Sequence, residues 1–254
     1  MALLDVREVT VRFGGITALD GLSFAIEPGQ ICGLIGPNGA GKTTMFNVLS
    51  RIYQPSSGRV TFDGVELLDV PAHGIAKLGI ARTFQNLALF PSMTLLENVM
   101  VGAHSRGSVG FVRAALRIAP WREERETRRF AFELLQQLSL APLAFRPAIG
   151  LPFGTLKRLE IARALAARPK FLLMDEPAAG LTHSEVDELG ETIKRIRDEF
   201  DLSVLLVEHH MAMVMGISDK VVAMDFGRKI AEGTPDEVRN DPSVIKAYLG
   251  SSAA

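Results

Sequence analysis

The chain has 254 residues, a formal net charge of −1, 47% hydrophobic residues and 22% charged residues. This length and composition support a sizeable core in one large domain or two subdomains. The near-neutral charge argues against a dedicated nucleic-acid binder, which usually carries a basic patch. No apolar run approaches the roughly 18 residues of a membrane-spanning helix, so we expect any membrane role to come through a partner chain.

The first 65 residues are dominated by strand patterns. The stretches VREVTVRF, LSFAIE and GRVTFDG mix alternation with β-branched residues and are separated by glycine-containing turns. QICGLIG is a short continuous apolar run, which is typical of a buried parallel strand. It contains Cys32, the single cysteine, which we expect to be buried and unreactive in a reducing compartment.

A helix pattern, GKTTMFNVLSRIY, follows that buried run, and helices and loops dominate from 86 to 158. Strands and helices then alternate through KFLLMDEP, SEVDELGETIKRIRDEF and LSVLLVEH, before a hairpin pattern in VVAMDFGRKIAEG. Capping boxes are predicted at Thr182 with Glu185 and at Thr234 with Glu237. The alternation predicts an α/β fold with a parallel core, an antiparallel β edge and an inserted helical segment.

GPNGAGKTT, residues 36–44, matches the pattern G-x-x-x-x-G-K-S/T and lies between a predicted strand and a predicted helix. Its glycines let backbone N–H groups turn toward phosphate oxygens without Cβ clashes. We expect Lys42 to reach the β and γ phosphates of ATP and the Thr43 hydroxyl to bind Mg²⁺. The predicted nucleotide-binding residues of this loop are Gly36, Asn38, Gly39, Ala40, Gly41, Lys42, Thr43 and Thr44.

Two acidic residues end the predicted strand FLLMDEP. Asp175 is placed to hold Mg²⁺ through water, and Glu176 is placed to polarise the attacking water. Adjacent carboxylates at a strand end can also form a plain solvated turn, but together with the phosphate loop the pair predicts nucleotide hydrolysis. A phosphotransferase would need an acceptor-substrate site, for which the sequence has no signature.

The order and spacing of GPNGAGKTT, RTFQN, KRLEIARALAARP, FLLMDEPAAGL and LLVEHH resemble the ATP-binding cassette (ABC) ATPases over essentially the whole chain. The resemblance implies a single cassette domain over 1–254 with a P-loop NTPase, RecA-like, core. The core and the β subdomain would comprise 1–85 and 159–254, and the helical subdomain 86–158.

The resemblance also assigns roles to single residues. Gln85 would contact Mg²⁺ and the attacking water, and His209 would be the switch histidine that contacts the γ-phosphate. Phe13 matches the aromatic residue that stacks on adenine, although a core phenylalanine is the competing interpretation. His210 stands where the family usually has aspartate.

Cassette ATPases work as head-to-tail dimers, in which one subunit supplies the phosphate loop and the other a signature turn at a helix start. In this chain that turn falls on LPFGT, residues 151–155. Gly154 matches a signature glycine, whereas Pro152 replaces a serine and so removes its hydroxyl. The change predicts that this turn serves the partner's ATP less well. If the partner chain carries an intact signature turn, this chain's own site is then the stronger of two unequal sites.

The stretches RLEIARAL and DEPAAGL and the ending GTPDEVRNDPSVIKAYLG resemble the larger ATPase subunit of prokaryotic branched-chain amino-acid importers. The implied partners are a second ATPase subunit, expected to be a paralogue, two transmembrane permeases and, indirectly, an extracytoplasmic binding protein. The implied location is peripheral, on the cytoplasmic face of the membrane. Leu89 and Phe90 would then face a permease or pack inside the helical insertion.

Other functions stay open at this point. An importer of amides or urea would have the same features, and a soluble cassette ATPase such as a metal-cluster assembly factor has a similar size. A nucleotide-binding switch that barely hydrolyses ATP would lack the base, yet Glu176 is present.

Overall fold

The computed structural model describes residues 1–83, 87–103 and 121–250. Its contacts divide the chain into two compact units, one formed by Met1–Ile75 with Lys170–Ala254 and the other by Ala76–Pro169. The predicted helical insertion, 86–158, lies inside the second unit, whose bounds are wider.

Strands and helices occur in the alternation that the sequence predicts. The strands, in chain order, are β1 (Leu4–Phe13), β2 (Ile16–Ile26), β3 (Ile31–Ile35), β4 (Ser57–Phe62), β5 (Val65–Glu66), β6 (Ile80–Arg82), β7 (Phe171–Asp175), β8 (Ser203–Val207), β9 (Lys220–Asp225) and β10 (Arg228–Gly233). The α-helices of the described residues are α1 (Lys42–Leu49), α2 (Ile75–Leu78), α3 (Leu95–Ala103), α4 (Trp121–Gln137), α5 (Phe153–Ala166), α6 (His183–Phe200), α7 (Met211–Ile217), α8 (Pro235–Arg239) and α9 (Pro242–Gly250).

The first unit contains two sheets. One is antiparallel, with the order β2-β1-β4-β5, and its first two strands are joined by the turn at Gly14 and Gly15. In the other, β10-β9-β3-β8-β7 are neighbours, with β3 parallel to both β8 and β9 and β7 parallel to β8. β3, β7 and β8 are buried along their whole length, as their continuous apolar sequences predict.

This topology positions the candidate site, because parallel strands end at the same edge of a sheet. Gly36 follows β3, Glu176 follows β7 and Glu208 follows β8. Three segments that are far apart in the sequence therefore begin at one edge. The predicted α/β fold class is confirmed.

Local sequence signals produced the expected structures as well. Thr182 donates its backbone N–H to Glu185 Oε2 over 2.9 Å at the start of α6, and Thr234 does the same with Glu237 over 2.8 Å before α8. β9 and β10 form the predicted antiparallel hairpin around Phe226 and Gly227. Among the described residues, no helix is long and apolar enough to cross a bilayer.

The second unit contains helices α3, α4 and α5 and the strand β6. The buried Asn98 carboxamide closes the segment before α3. Its Oδ1 accepts from Phe90 N over 2.8 Å, and its Nδ2 donates to Phe90 O and Thr94 O, each over 3.0 Å. These bonds fix the backbone at Phe90 while its side chain stays 43% exposed.

Candidate functional site

The phosphate loop needs glycine at both of its ends. Gly36 has φ 153°, and a Cβ there would lie 2.2 Å from the backbone oxygen of Met224. Gly41 caps α1 with φ 104°, and its Cβ would lie 2.7 Å from Ala18 O. Any side chain at either position would strain the loop, so the path of the loop depends on these two residues.

Lys42 is held beneath the loop. It is 6% exposed, and its Nζ donates to Gly36 O over 2.7 Å and to Pro37 O over 2.9 Å. Burial lowers the Lys42 pKa, and the charges of Glu176 and Asp175 oppose that shift. The chain thus places a cation inside the loop, close enough to Glu176 and Asp175 for their negative charges to act on its pKa.

The other predicted residues of the loop are distributed along it. Asn38, Gly39 and Thr43 are exposed, Thr44 is half-buried and Ala40 is buried. The backbone of Ala40 fixes the loop to the hairpin turn, because its carbonyl accepts from Gly227 N over 3.0 Å. The exposed residues can meet a bound ligand without rearrangement of the core.

The oxygen donors at the site suit Mg²⁺. Asp175 ends β7 and is buried, and Thr43 is the second residue of α1. A carboxylate and a hydroxyl are the hard oxygen ligands that Mg²⁺ takes together with phosphates and waters. Among the described residues, no group of three or more His, Cys, Asp or Glu side chains could hold a metal ion.

Glu176 and His209 meet at the edge of the sheet. Glu176 Oε1 lies 2.7 Å from His209 Nε2, and the Glu176 N–H donates to Val207 O over 2.9 Å. The Glu176 backbone has φ 48°, a strained conformation for a residue before proline. Such strain is commonly found at functional sites, and here it brings a carboxylate from β7 against a histidine that follows β8.

Glu208, for which the sequence predicted no role, lies behind that pair. It is 2% exposed, and its Oε1 accepts from Ala178 N over 2.5 Å. Its Oε2 accepts from His209 N over 2.9 Å. The available signal was an acidic residue placed directly between a strand of five buried residues and the predicted switch histidine.

Phe13 lies at the end of β1 and is 45% exposed. Its ring meets Tyr53 edge-on, with the centroids 5.0 Å apart. This exposure disfavours the competing interpretation of Phe13 as a core residue, and it leaves aromatic surface for a ligand. The role of Phe13 in adenine binding stays a prediction.

The LPFGT turn forms the start of α5, whose N-cap is Pro152 with no side-chain hydrogen bond. Gly154 is the second residue of the helix, so its N–H belongs to the first turn, where the helix itself offers no acceptor. Lys157 is 2% exposed, and its Nζ lies 5.4 Å from the centroid of the Phe153 ring. The predicted Gln85 lies outside the described residues.

Comparison with known proteins defines the class. Residues 19–179 match the ABC transporter family, and residues 228–254 match a family described as branched-chain amino acid ATP-binding cassette transporter. The chain therefore belongs to the ABC transporter family of ATP-binding proteins.

Two relatives are similar over nearly the whole length. The chain is 44% identical to the high-affinity branched-chain amino acid transport ATP-binding protein BraF of Pseudomonas aeruginosa, with 98% of each chain covered. It is 41% identical to LivG of Escherichia coli K12, which carries the same description, again with 98% of each chain covered.

Solved structures give the same fold. The ADP conformation of MJ1267, an ATP-binding cassette of an ABC transporter, superimposes with a TM-score of 0.86 at 31% identity, covering 98% of this chain and 99% of that one. A dimeric cassette, MJ0796 bound to ADP and phosphate, superimposes with a TM-score of 0.75 at 26% identity, covering 91% and 98%.

Proposed function

We propose that this chain binds ATP with Mg²⁺ and hydrolyses it to drive an importer of branched-chain or other hydrophobic amino acids. The observation that carries the proposal is the 2.7 Å contact between Glu176 and His209 at the sheet edge where the phosphate loop begins. A nucleotide-binding switch that barely hydrolyses ATP would lack a carboxylate base at this edge, whereas Glu176 is present there.

The chemistry follows from the side chains. The Glu176 carboxylate accepts a proton from water as the water oxygen attacks the γ-phosphorus of ATP, and the bond from that phosphorus to the bridging oxygen of ADP breaks. Lys42 and the loop N–H groups offset the charge on the phosphate oxygens. His209 orients Glu176 and contacts the γ-phosphate. Release of the phosphate therefore removes one partner of His209 and can alter its contact with Glu176.

Thr43, Asp175 and Gln85 are the residues proposed to hold Mg²⁺. A bound Mg²⁺ would offset the negative charge of the phosphate oxygens. Phe13 and the residues of the phosphate loop hold the nucleotide, and Gly154 donates its N–H to the γ-phosphate bound by the partner subunit.

The proposed assembly contains a second ATPase subunit in a head-to-tail dimer, two permeases and an external binding protein. The dimeric cassette MJ0796 supports the dimer. The exposed Phe90, on a backbone held by Asn98, supports docking of a permease beside α3. The chain would lie at the cytoplasmic face of the membrane as a peripheral subunit.

The names of BraF and LivG support branched-chain amino acids as the substrate class. An importer of amides or urea is the second candidate, because the substrate is read by the binding protein and not by the ATPase. Uptake of labelled leucine, valine, amides and urea, each compared between cells with and without this chain, separates the two. Loss of urea uptake alone would contradict the substrate assignment.

Glu176→Gln tests the catalytic proposal. General bases contribute about 10² to 10⁴-fold, so we expect steady-state ATP turnover to fall by about that factor while nucleotide binding is retained. Phosphate release measures the turnover, and fluorescent-nucleotide titration measures the binding. Equal turnover in the two proteins would refute the assignment of Glu176.

A further inference from the structure

The Glu208 carboxylate accepts hydrogen bonds from the backbone N–H groups of two different segments. Oε1 takes Ala178 N at 2.5 Å, and Oε2 takes His209 N at 2.9 Å and His210 N at 3.4 Å. Hydrogen bonds to an ionised carboxylate are about twice as strong as neutral ones. The side chain is 2% exposed, so water competes little for these bonds.

Each of the two segments contains or adjoins one of the two residues in the Glu176–His209 contact. Ala178 is two residues beyond Glu176, in a turn closed by a bond from Ala179 N to Glu176 O of 3.1 Å. His209 presents its ring to the same Glu176 over 2.7 Å. One buried carboxylate therefore fixes the backbone on each side of the contact between Glu176 and His209.

We propose that Glu208 is a positioning residue for ATP hydrolysis, which sets the distance between Glu176 and His209 by clamping the Ala178 turn to the His209 backbone. This inference rests on the proposed ATPase function. Glu208 does not touch the reacting atoms. It also couples the segment after Glu176 to the switch histidine, so a displacement of the Ala178 turn moves His209 with it.

The proposal predicts that loss of the Glu208 hydrogen bonds lowers kcat and leaves nucleotide affinity unchanged. A misplacement of about 1 Å at a reacting group can cost about 100-fold in rate. The proposed nucleotide contacts, made by Phe13, Lys42 and the phosphate loop, do not involve Glu208. We therefore expect a change at Glu208 to lower kcat and not nucleotide affinity.

Glu208→Gln is the sharpest variant, because glutamine has the same shape but replaces one acceptor oxygen with a donor NH₂ group. That group must face a backbone N–H, so one half of the clamp opens. We expect kcat to fall by about 10 to 100-fold, with the nucleotide dissociation constant changed by less than about twofold.

Glu237→Gln is a control for the loss of one carboxylate acceptor at a backbone N–H. Glu237 also accepts a backbone N–H, from Thr234 over 2.8 Å, at the start of α8. This change lowers stability at a helix cap and should leave kcat unchanged. If Glu208→Gln and Glu237→Gln affect kcat equally, Glu208 is merely structural and the proposal is wrong.

A double-mutant cycle identifies the route of the effect. In a His209→Ala background, Glu208→Gln should cost little further turnover, because the contact that the clamp positions is already gone. Fully additive losses would overturn the proposal. Wild type and Glu176→Gln, measured alongside, keep the outcomes apart. Absence of ATP turnover in the wild type refutes the ATPase function, and an active Glu176→Gln refutes the assignment of Glu176. An inactive Glu176→Gln with a fully active Glu208→Gln refutes the clamp alone.

One measurement needs no variant. In the wild-type chain the amide protons of Ala178 and His209 should exchange with solvent far more slowly than amides of exposed turns, because both are bonded to a buried carboxylate. Rapid exchange at both amides would contradict the clamp even if every Glu208 variant failed to fold.

Discussion

Helices α1 and α5 both begin where phosphate is expected to bind, and their first turns differ. α1 starts after Gly41, at φ 104°, with a lysine as its first residue. α5 starts after Pro152, at φ −54° and ψ 147°, with a phenylalanine as its first residue. Both expose the N–H groups of a first helical turn, but only α1 follows a loop whose glycines bring further N–H groups to the ligand.

From this difference we expect a helix N-terminus by itself to make a weak phosphate site. At α1 the buried Lys42 cation and the loop reinforce the helix dipole. At α5 one nearby cation, Lys157, is buried against the Phe153 ring, and proline supplies neither a hydroxyl nor an N–H. We therefore expect strong nucleotide binding at the start of α1. At the start of α5 we expect only a weaker contribution to binding of the partner's nucleotide.

Gly36→Ala should disrupt the phosphate loop and so break the stronger site. The new Cβ would lie 2.2 Å from the backbone of Met224, which cannot move aside as a flexible side chain could. We expect nucleotide binding to weaken by more than about tenfold and the free energy of unfolding to fall by about 1–3 kcal/mol. Isothermal titration and urea unfolding measure the two effects.

Gly216→Ala is the control for that change, because a Cβ there meets no atom within 4 Å. It should leave binding intact. Equal binding in Gly36→Ala and Gly216→Ala proteins would show that the loop does not depend on close packing at Gly36.

Pro152→Ser should strengthen the weaker site. A serine hydroxyl restores a hydrogen bond to a charged phosphate, worth about 1.5–3 kcal/mol, so turnover at the partner's site should rise by about 10- to 100-fold. ATPase assays of the assembled pair of subunits measure the effect. An unchanged turnover together with a higher unfolding temperature would mean that serine only caps α5.

The same assembly tests the inequality of the two sites. Substituting the catalytic glutamate of one subunit at a time should give unequal losses of turnover, the larger loss coming from Glu176→Gln in this chain. Equal losses would contradict the inequality that the LPFGT turn predicts.

Phe13→Ala should weaken ATP binding modestly, since stacking on a base is worth about 1–3 kcal/mol. Phe145→Ala is the control, because Phe145 is also exposed but lies in the second unit. Nucleotide titration should show a higher dissociation constant for Phe13→Ala alone. Equal constants in both variants would remove Phe13 from the binding site.

The smallest predicted effect is the reaction of the Cys32 thiol with alkylating reagents in the native chain. Burial raises the pKa of its thiol to about 12, so at neutral pH it holds almost no thiolate, the form that reacts. Alkylation followed by mass spectrometry should detect little labelling in the native chain and full labelling in denaturant. Rapid native labelling would mean that β3 opens readily.

The sequence by itself determined the features that depend on neighbouring residues. The hairpin at Phe226 and Gly227 and the capping boxes at Thr182 and Thr234 involve contacts over a few positions, and the phosphate loop is recognised by the spacing of its own residues. Their residue types restrict the local backbone or satisfy its N–H groups, so the amino-acid sequence alone is enough to predict them. The order of the motifs was likewise sufficient to predict the family, and the comparisons confirmed that prediction.

The tertiary structure decided which of these segments meet. Glu176 and His209 come within 2.7 Å because β7 pairs with β8 in a particular register. Glu208 acquires its two-sided set of N–H partners from the same pairing. Strand order and register depend on the packing of the whole core, since each parallel strand is an equally apolar run. For that reason the role of Glu208 could not be read from its place in LLVEHH alone.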